Sequence, residues 1–207
     1  MDLIGKRIDP ENMEIIYSKP FTETSIAEDF DVRGGEWRVE DGWLTGKNLQ
    51  NAPGMITSRA KYCGDVLLDF RARTVLPSTH DIDVMWSGSW NSDTNTRGVA
   101  YVAGINGWWD GKVGIEKSPD YKLYAVSRLF LFEPGRIYHV QCGSVEGHIF
   151  LIIDGTLALE VSDPSPIDTS KNGLVGFEAY ASHIQFTDFK VKRAVFTSIN
   201  KKYPPEF

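Results

Sequence analysis

The chain has 207 residues, a length that suits one all-β sandwich, and its composition marks no second core. With 42% hydrophobic and 12% aromatic residues and a formal net charge of -6, it is too apolar for a disordered polymer. That acidic balance also argues against nucleic acid or an anionic membrane as partner.

The first stretch, "MDLIGKRIDPENMEI", lacks the basic, apolar and small-residue sections of a signal peptide. No run is apolar long enough to span a bilayer, so a cytoplasmic location is expected. "TETSIAEDF" reads as a short helix with Thr24 or Ser25 as N-cap. From there on the chain alternates with period two in short runs: "EWRVEDGWLTG", "DVLLDFRAR", "DIDVMW", "GVAYVAGI", "KVGIEK", "KLYAVSRLFLF", "IYHVQCGS", "HIFLIIDGTLALEV", "LVGFEAY" and "HIQFTDFKVKR". Turn signals separate them, among them "EDG", "SDTNT", "INGWWDG", "EPGR", "VEGH" and "DG". Many short strands without helical crossovers predict an all-β fold, an antiparallel β-sandwich with jelly-roll or Greek-key connections. One domain over residues 1–207 is expected, its core at about 34–193. The irregular ends would wrap the sandwich or form a contact in a homo-oligomer.

Alternation assigns faces. In "DVLLDFRAR", Val66, Leu68, Phe70 and Ala72 point to the core, and Asp69, Arg71 and Arg73 point out. In "HDIDVMW", Ile82, Val84 and Trp86 point in, while Asp81 and Asp83 point out behind His80. If these two strands pair, Arg71 and Arg73 face Asp81 and Asp83, giving either a charged row that grips sugar hydroxyls or a plain cross-strand ladder. Trp90, Trp108 and Trp109 fall in turn-like segments, where indoles stack readily on pyranose rings; Trp37 and Trp43 lie in strand alternation and are expected in the core. Other acid and base candidates are Glu116 with adjoining Lys117, Glu178 and His183, with His139 and His148 equally open to a surface role. Asn91, Asp93, Asn95 and Asp110 are oxygen donors for calcium without a defined loop spacing; otherwise no cofactor is expected. Cys63 and Cys142 read as two buried thiols, although the sequence leaves a disulfide open, and their spacing makes no zinc site. Nucleotide loops, nucleophile elbows and zincin helices are absent from the sequence.

The segments "GEWRVEDGWLTGKN", "DVLLDFRAR", "EPGRIYHVQCGSVEGHIFLIIDGTLALEVSDPSP" and "NGLVGFEAYASHIQFTDFKVKR" together resemble the concanavalin A-like lectin/glucanase superfamily. More narrowly they are similar to bacterial 3-keto-disaccharide hydrolase domains. The resemblance implies a concanavalin A-like jelly roll whose ligand is an oligosaccharide or glycoside; the fold hosts lectins, hydrolases and lyases alike. In glycoside hydrolase family 16 one strand carries E-x-D-x-x-E. Here "DIDVMW" has Asp81 and Asp83 but Met85 and Trp86 where a general acid would stand, so those catalytic roles do not transfer. Three functions stay open: a glycoside-processing hydrolase or lyase, a non-catalytic sugar-binding module, and an accessory subunit.

Overall fold

The structure is a computed structural model that describes residues 1–50, 53–107, 112–120, 122–128 and 131–199. Strands are numbered in chain order. A seven-stranded antiparallel sheet runs β14 (Lys122–Ser127), β13 (Val113–Ser118), β12 (Ala100–Ile105), β9 (Ile82–Gly88), β18 (Leu174–Ala179), β7 (Gly54–Ser58), β4 (Phe30–Val32). A second runs β17 (Thr156–Ser162), β16 (His148–Ile153), β15 (Tyr138–Val145), β8 (Val66–Thr74), β19 (Ser182–Arg193), β6 (Trp43–Asn48), β5 (Glu36–Glu40), with β3 (Ile15–Tyr17) beside the far end of β19 as its eighth strand. The all-β antiparallel sandwich expected from the sequence is the fold observed.

The two sheets bury their facing sides against each other. Leu68, Phe70, Val140, Cys142, Leu151, Ile184 and Phe186 come from one, and Ile82, Val84, Trp86, Ala103, Ile115 and Phe177 from the other, all within 2% of full burial. Phe177 stacks on Phe186 across the gap at 4.0 Å, and Phe70 meets Phe177 edge-on at 5.5 Å. The predicted inward positions of both "DVLLDFRAR" and "DIDVMW" are therefore correct. Three hairpins turn on the non-glycine/glycine pairs Asp41–Gly42, Glu146–Gly147 and Asp154–Gly155, each with both φ angles positive, as tight two-residue turns require.

Several details correct the sequence reading. The strand "DVLLDFRAR" lies between β15 and β19, whereas "DIDVMW" lies between β12 and β18 in the other sheet, so these two do not pair. The connection between them crosses from one layer to the other. Helix α1 (Glu23–Asp29) is capped by Thr22, not Thr24 or Ser25: Thr22 Oγ1 accepts from Ser25 N at 3.0 Å, and Ser25 Oγ accepts from Thr22 N at 2.9 Å. A reciprocal box needs partners three residues apart, and only Thr22 offers that to Ser25. Strands β4 and β7 carry no clean alternation, because β7 is buried on both faces. Cys142 lies in the core, Cys63 is half-buried, and both are free thiols.

The N-terminal segment wraps the outside of the eight-stranded sheet. Its strands β1 (Asp2–Leu3) and β2 (Lys6–Arg7) form a ribbon with β20 (Thr197–Ser198), and Leu3, Ile8 and Met13 pack on Leu67, Val145, Phe150 and Ile152. The outer face of the seven-stranded sheet is crossed instead by a small hairpin, β10 (Trp90–Asn91) with β11 (Thr96–Arg97).

Candidate functional site

Strand register gathers four carboxylates on that second outer face. Asp83 of β9 stands opposite Glu178 of β18 on one side and Gly104 of β12 on the other. Glu116 of β13 is paired with Val102, which is paired with Met85, the next outward residue after Asp83. Asp81 enters β9 just ahead. All four are at least nine-tenths buried, with relative exposures of 8% for Asp81, 5% for Asp83, 4% for Glu116 and 6% for Glu178. These are the acids picked from sequence, yet nothing in the sequence set them side by side.

Arg97, opposite Trp90 at the base of the hairpin, reaches down into the cluster. Its Nη1 donates to Glu178 Oε2 at 2.5 Å, its Nη2 lies 3.5 Å from Glu116 Oε1, and its Nε donates to Ser118 Oγ at 3.3 Å. One planar, permanently charged fork thus ties two glutamates from strands that are not neighbours. Removing water from four carboxylates is costly, and Arg97 offsets this for the two glutamates.

Asp81 and Asp83 are handled differently. Burial, reinforced by Glu178 and Glu116, pushes the Asp81 carboxyl up to about 7, while its hydrogen bond with Asp83 works the other way. Asp83 is raised well above its ordinary value, first by burial and then by the Asp81 and Glu178 charges. The pair holds a proton near neutral pH because two adjacent buried carboxylates cannot both ionise cheaply. Each keeps one oxygen, Asp81 Oδ1 and Asp83 Oδ1, buried without a hydrogen-bond partner. Gly107 backs this corner: a Cβ there would collide with the Asp81 carboxylate, so only glycine lets the chain pass so close.

Around the acids lies an apolar surround of Met55, Met85, Ala100, Val102 and Leu174, with Trp90 packed against it. Trp90 is not the open stacking platform expected, because the Arg33 guanidinium lies over its ring, 5.0 Å from the centroid. What Trp90 does present is a buried indole Nε1 with no acceptor. Trp108, Trp109 and Asp110 lie outside the described residues.

Other predicted site residues are elsewhere. Arg71 and Arg73 project from the outside of the eight-stranded sheet, so they cannot share a row with Asp81 and Asp83. Arg71 pairs with Asp188 at 3.3 Å, and Arg73 donates to Gln185 Oε1 at 2.8 Å while lying over the Trp43 ring. Trp43 is accordingly outward and half-buried rather than core; Trp37 packs on Phe186 as expected. His183 lies on the same outer face as Arg73, its pKa lowered by burial and by Lys47 and Arg38. Lys117 alternates away from Glu116, and its ammonium binds Asp163 at 2.8 Å. His80 is half-buried in the loop before β9, where its carbonyl accepts from Ser78 Oγ. Asn91 Oδ1 accepts from the backbone N–H groups of Asp93 and Thr94, which caps the hairpin turn. Among the described residues no three Asp, Glu, His or Cys side chains are grouped to hold a metal ion.

The residues missed from sequence are Arg97, Arg33, Met55 and Met85. Arg97 falls between "SDTNT", read as a turn, and the strand "GVAYVAGI", and a two-residue strand is too short to show periodicity.

Fold and site together define a galectin-like or concanavalin-like β-sandwich with an acidic cluster on the outer face of one sheet. No protein-family model matches the chain, and no curated protein matches it in sequence. Among solved structures it is similar to a protein with a galectin-like fold from Bacillus subtilis, with a TM-score of 0.69 and 15% identity over 92% of this chain and 99% of that one. It is also similar to the carbohydrate-binding module CBM66 from Bacillus subtilis, with a TM-score of 0.65, 13% identity and coverages of 87% and 97%. A candidate glycosyl hydrolase from Parabacteroides distasonis gives a TM-score of 0.56, 15% identity and coverages of 86% and 99%. Such identities establish the sandwich fold.

Proposed function

We propose that this protein binds a carbohydrate on the outer face of its seven-stranded sheet, at the Asp81–Asp83 pair. The observation that carries the reading is a set of buried polar atoms with nothing to bond: two carboxylate oxygens, Asp81 Oδ1 and Asp83 Oδ1, and the Trp90 Nε1 donor on the same face. Buried groups of this kind are normally satisfied, because each one left alone costs about 1–3 kcal/mol. A polyhydroxylated ligand supplies both donors and acceptors and restores that balance. The similarity to a carbohydrate-binding module of nearly the same length supports the choice of ligand class.

Thermal-shift and calorimetric titration of the full chain against an oligosaccharide panel is the test. At least one member is expected to bind saturably, and Trp90→Phe, which keeps the ring but loses the N–H, is expected to weaken it about tenfold. Undiminished binding by that variant would remove this face from consideration.

A second reading is a glycoside-processing enzyme, and the proton held near pH 7 by Asp81 and Asp83 favours it, since general acid–base work needs such a group. Retaining glycosidases instead set two carboxyls ~5 Å apart about the scissile bond, one as nucleophile and one as acid. Proton transfer on a 3-keto sugar, where the ketone acidifies the neighbouring C–H, fits a single proton-sharing pair better. Mass spectrometry of native and 3-keto glycosides incubated with the protein separates the readings: products that vanish with Asp81→Asn indicate catalysis, and binding without products indicates a module.

A further inference from the structure

We propose that Ser162, His148 and Glu160 form a nucleophilic centre on the outer face of the eight-stranded sheet, with Ser162 taking the acyl group of small esters and water releasing it. The centre lies on the opposite sheet from Asp81 and Asp83 and does not depend on the sugar reading.

Strand pairing assembles it. His148 of β16 stands directly opposite Ser162 of β17, and Phe150 stands opposite Glu160. Ile149 and Leu151 alternate with these positions into the core, so His148, Glu160 and Ser162 share the outward face. Glu160 Oε2 lies 2.8 Å from His148 Nε2 and also accepts from the backbone N–H of Ile4 at 2.8 Å. A carboxylate only accepts, so Nε2 carries the proton and Nδ1 presents its lone pair. Ser162 Oγ, 2.9 Å away, donates to that lone pair. A hydroxyl within reach of a base whose far nitrogen is held by an acid is the arrangement that activates a serine.

Burial separates the roles. His148 is 4% exposed and held by both partners, whereas Ser162 is exposed. The remaining need is a donor for the oxyanion. Asp163 N donates to Gly147 O at 2.9 Å, which makes these two a hydrogen-bonded pair and the adjoining Ser162 and His148 a non-hydrogen-bonded one. The Ser162 N–H therefore points away from β16. Because β17 is the last strand of its sheet, the sheet leaves that donor for an acyl oxygen.

In the reaction Ser162 Oγ bonds to the ester carbonyl carbon while its proton passes to His148 Nδ1. The ester C–O bond breaks, and the alcohol departs with that proton. Water then loses a proton to Nδ1 and attacks the acyl-serine carbonyl, and the acid is released as Ser162 recovers the proton. Glu160 touches no reacting atom and is a positioning residue for His148. With two side chains and one N–H to hold the substrate, the acyl group is a small one.

The experiment treats the full chain with a fluorophosphonate probe, maps the adduct by mass spectrometry, and follows 4-nitrophenyl acetate hydrolysis alongside. Labelling of Ser162 and turnover above that of Ser162→Ala are expected; the substitution is at an exposed position, and circular dichroism checks that the fold is intact. His148→Gln is expected to slow both reactions by about a hundredfold or more, the usual worth of a positioned base. Glu160→Gln is expected to lower the maximal labelling rate while the half-saturating probe concentration stays unchanged, a split that a merely loosened site would not give. Absence of an adduct on Ser162, labelling undiminished in His148→Gln, or turnover equal to that of Ser162→Ala overturns the proposal.

Discussion

Each sheet of the sandwich buries an aspartate on its outer face, and the two are treated in opposite ways. On the eight-stranded sheet, Asp69 is fully bonded: Oδ1 lies 2.7 Å from His139 Nε2, and Oδ2 accepts from Gln141 at 3.0 Å and from the Lys192 ammonium at 2.7 Å. Those donors hold its pKa below the usual range despite the opposing effect of burial. On the seven-stranded sheet, Asp83 has another carboxyl for a neighbour, keeps a bare oxygen, and is raised. A satisfied network fixes a structure, whereas a buried polar group without a partner carries its desolvation cost unrelieved. The covering differs to match. The N-terminal segment seals the Asp69 side, and Lys192 donates a second bond to Pro10 O within that segment.

The largest expected effect breaks the satisfied side. Lys192→Met removes a cation whose side chain is 5% exposed and leaves the Asp69 carboxylate, 8% exposed, facing only neutral or titratable donors. A loss of about 3–5 kcal/mol in denaturant unfolding is expected, because one half of a buried pair then stands uncompensated. Asp83→Asn is expected to change stability by less than about 1 kcal/mol, since the amide replaces a carboxyl that is already reluctant to ionise. Similar losses for the two variants would erase the distinction between the faces.

The pH profile sharpens the same contrast at an intermediate size. Asp81 has a folded pKa of about 7, against its ordinary 3.8. Between those values the folded chain binds more protons than the unfolded one, so the stability Asp81 contributes is fully present below 3.8 and is lost as pH rises towards about 7. Asp69, lowered, works in reverse: its contribution is present above 3.8 and is lost as pH falls. The difference in Tm between wild type and Asp81→Asn is therefore expected to shift against the wild type as the buffer goes from about pH 4 to about pH 7. A difference that stays flat across that range would mean the Asp81 carboxyl is not shifted.

Much of this was legible in the sequence, for local reasons. Period-two alternation put Ile82, Val84 and Trp86 inside and Asp81 and Asp83 outside, because side-chain direction is set by the pleat alone. The hairpin turns were legible because positive φ selects glycine and a few small polar residues. Which strands lie together was not legible, since Arg71 and Asp83 belong to strands close in sequence that join different sheets. Convergence of Glu116 and Glu178 on Asp83 depends on pairings between segments dozens of residues apart, and no local pattern encodes them. Arg97 was hidden for another reason: its hairpin is defined by what it covers, not by its own periodicity.

The smallest expected effect concerns the residue that sequence alone made most tempting. Arg71 was read as a partner of the acids, yet it ion-pairs with Asp188 on the opposite outer face, and both side chains are more than half exposed. Such a pair exchanges solvated charges for a screened contact and gives up side-chain freedom, so its net worth is about 0–1 kcal/mol. Arg71→Ala is expected to lower Tm barely, and salt should abolish even that difference. It is also expected to leave carbohydrate affinity unchanged, because the whole thickness of the sandwich core separates the Arg71 face from Asp81 and Asp83. A loss of binding in titration with this variant would put ligand on the eight-stranded face and reverse the assignment of the two sheets.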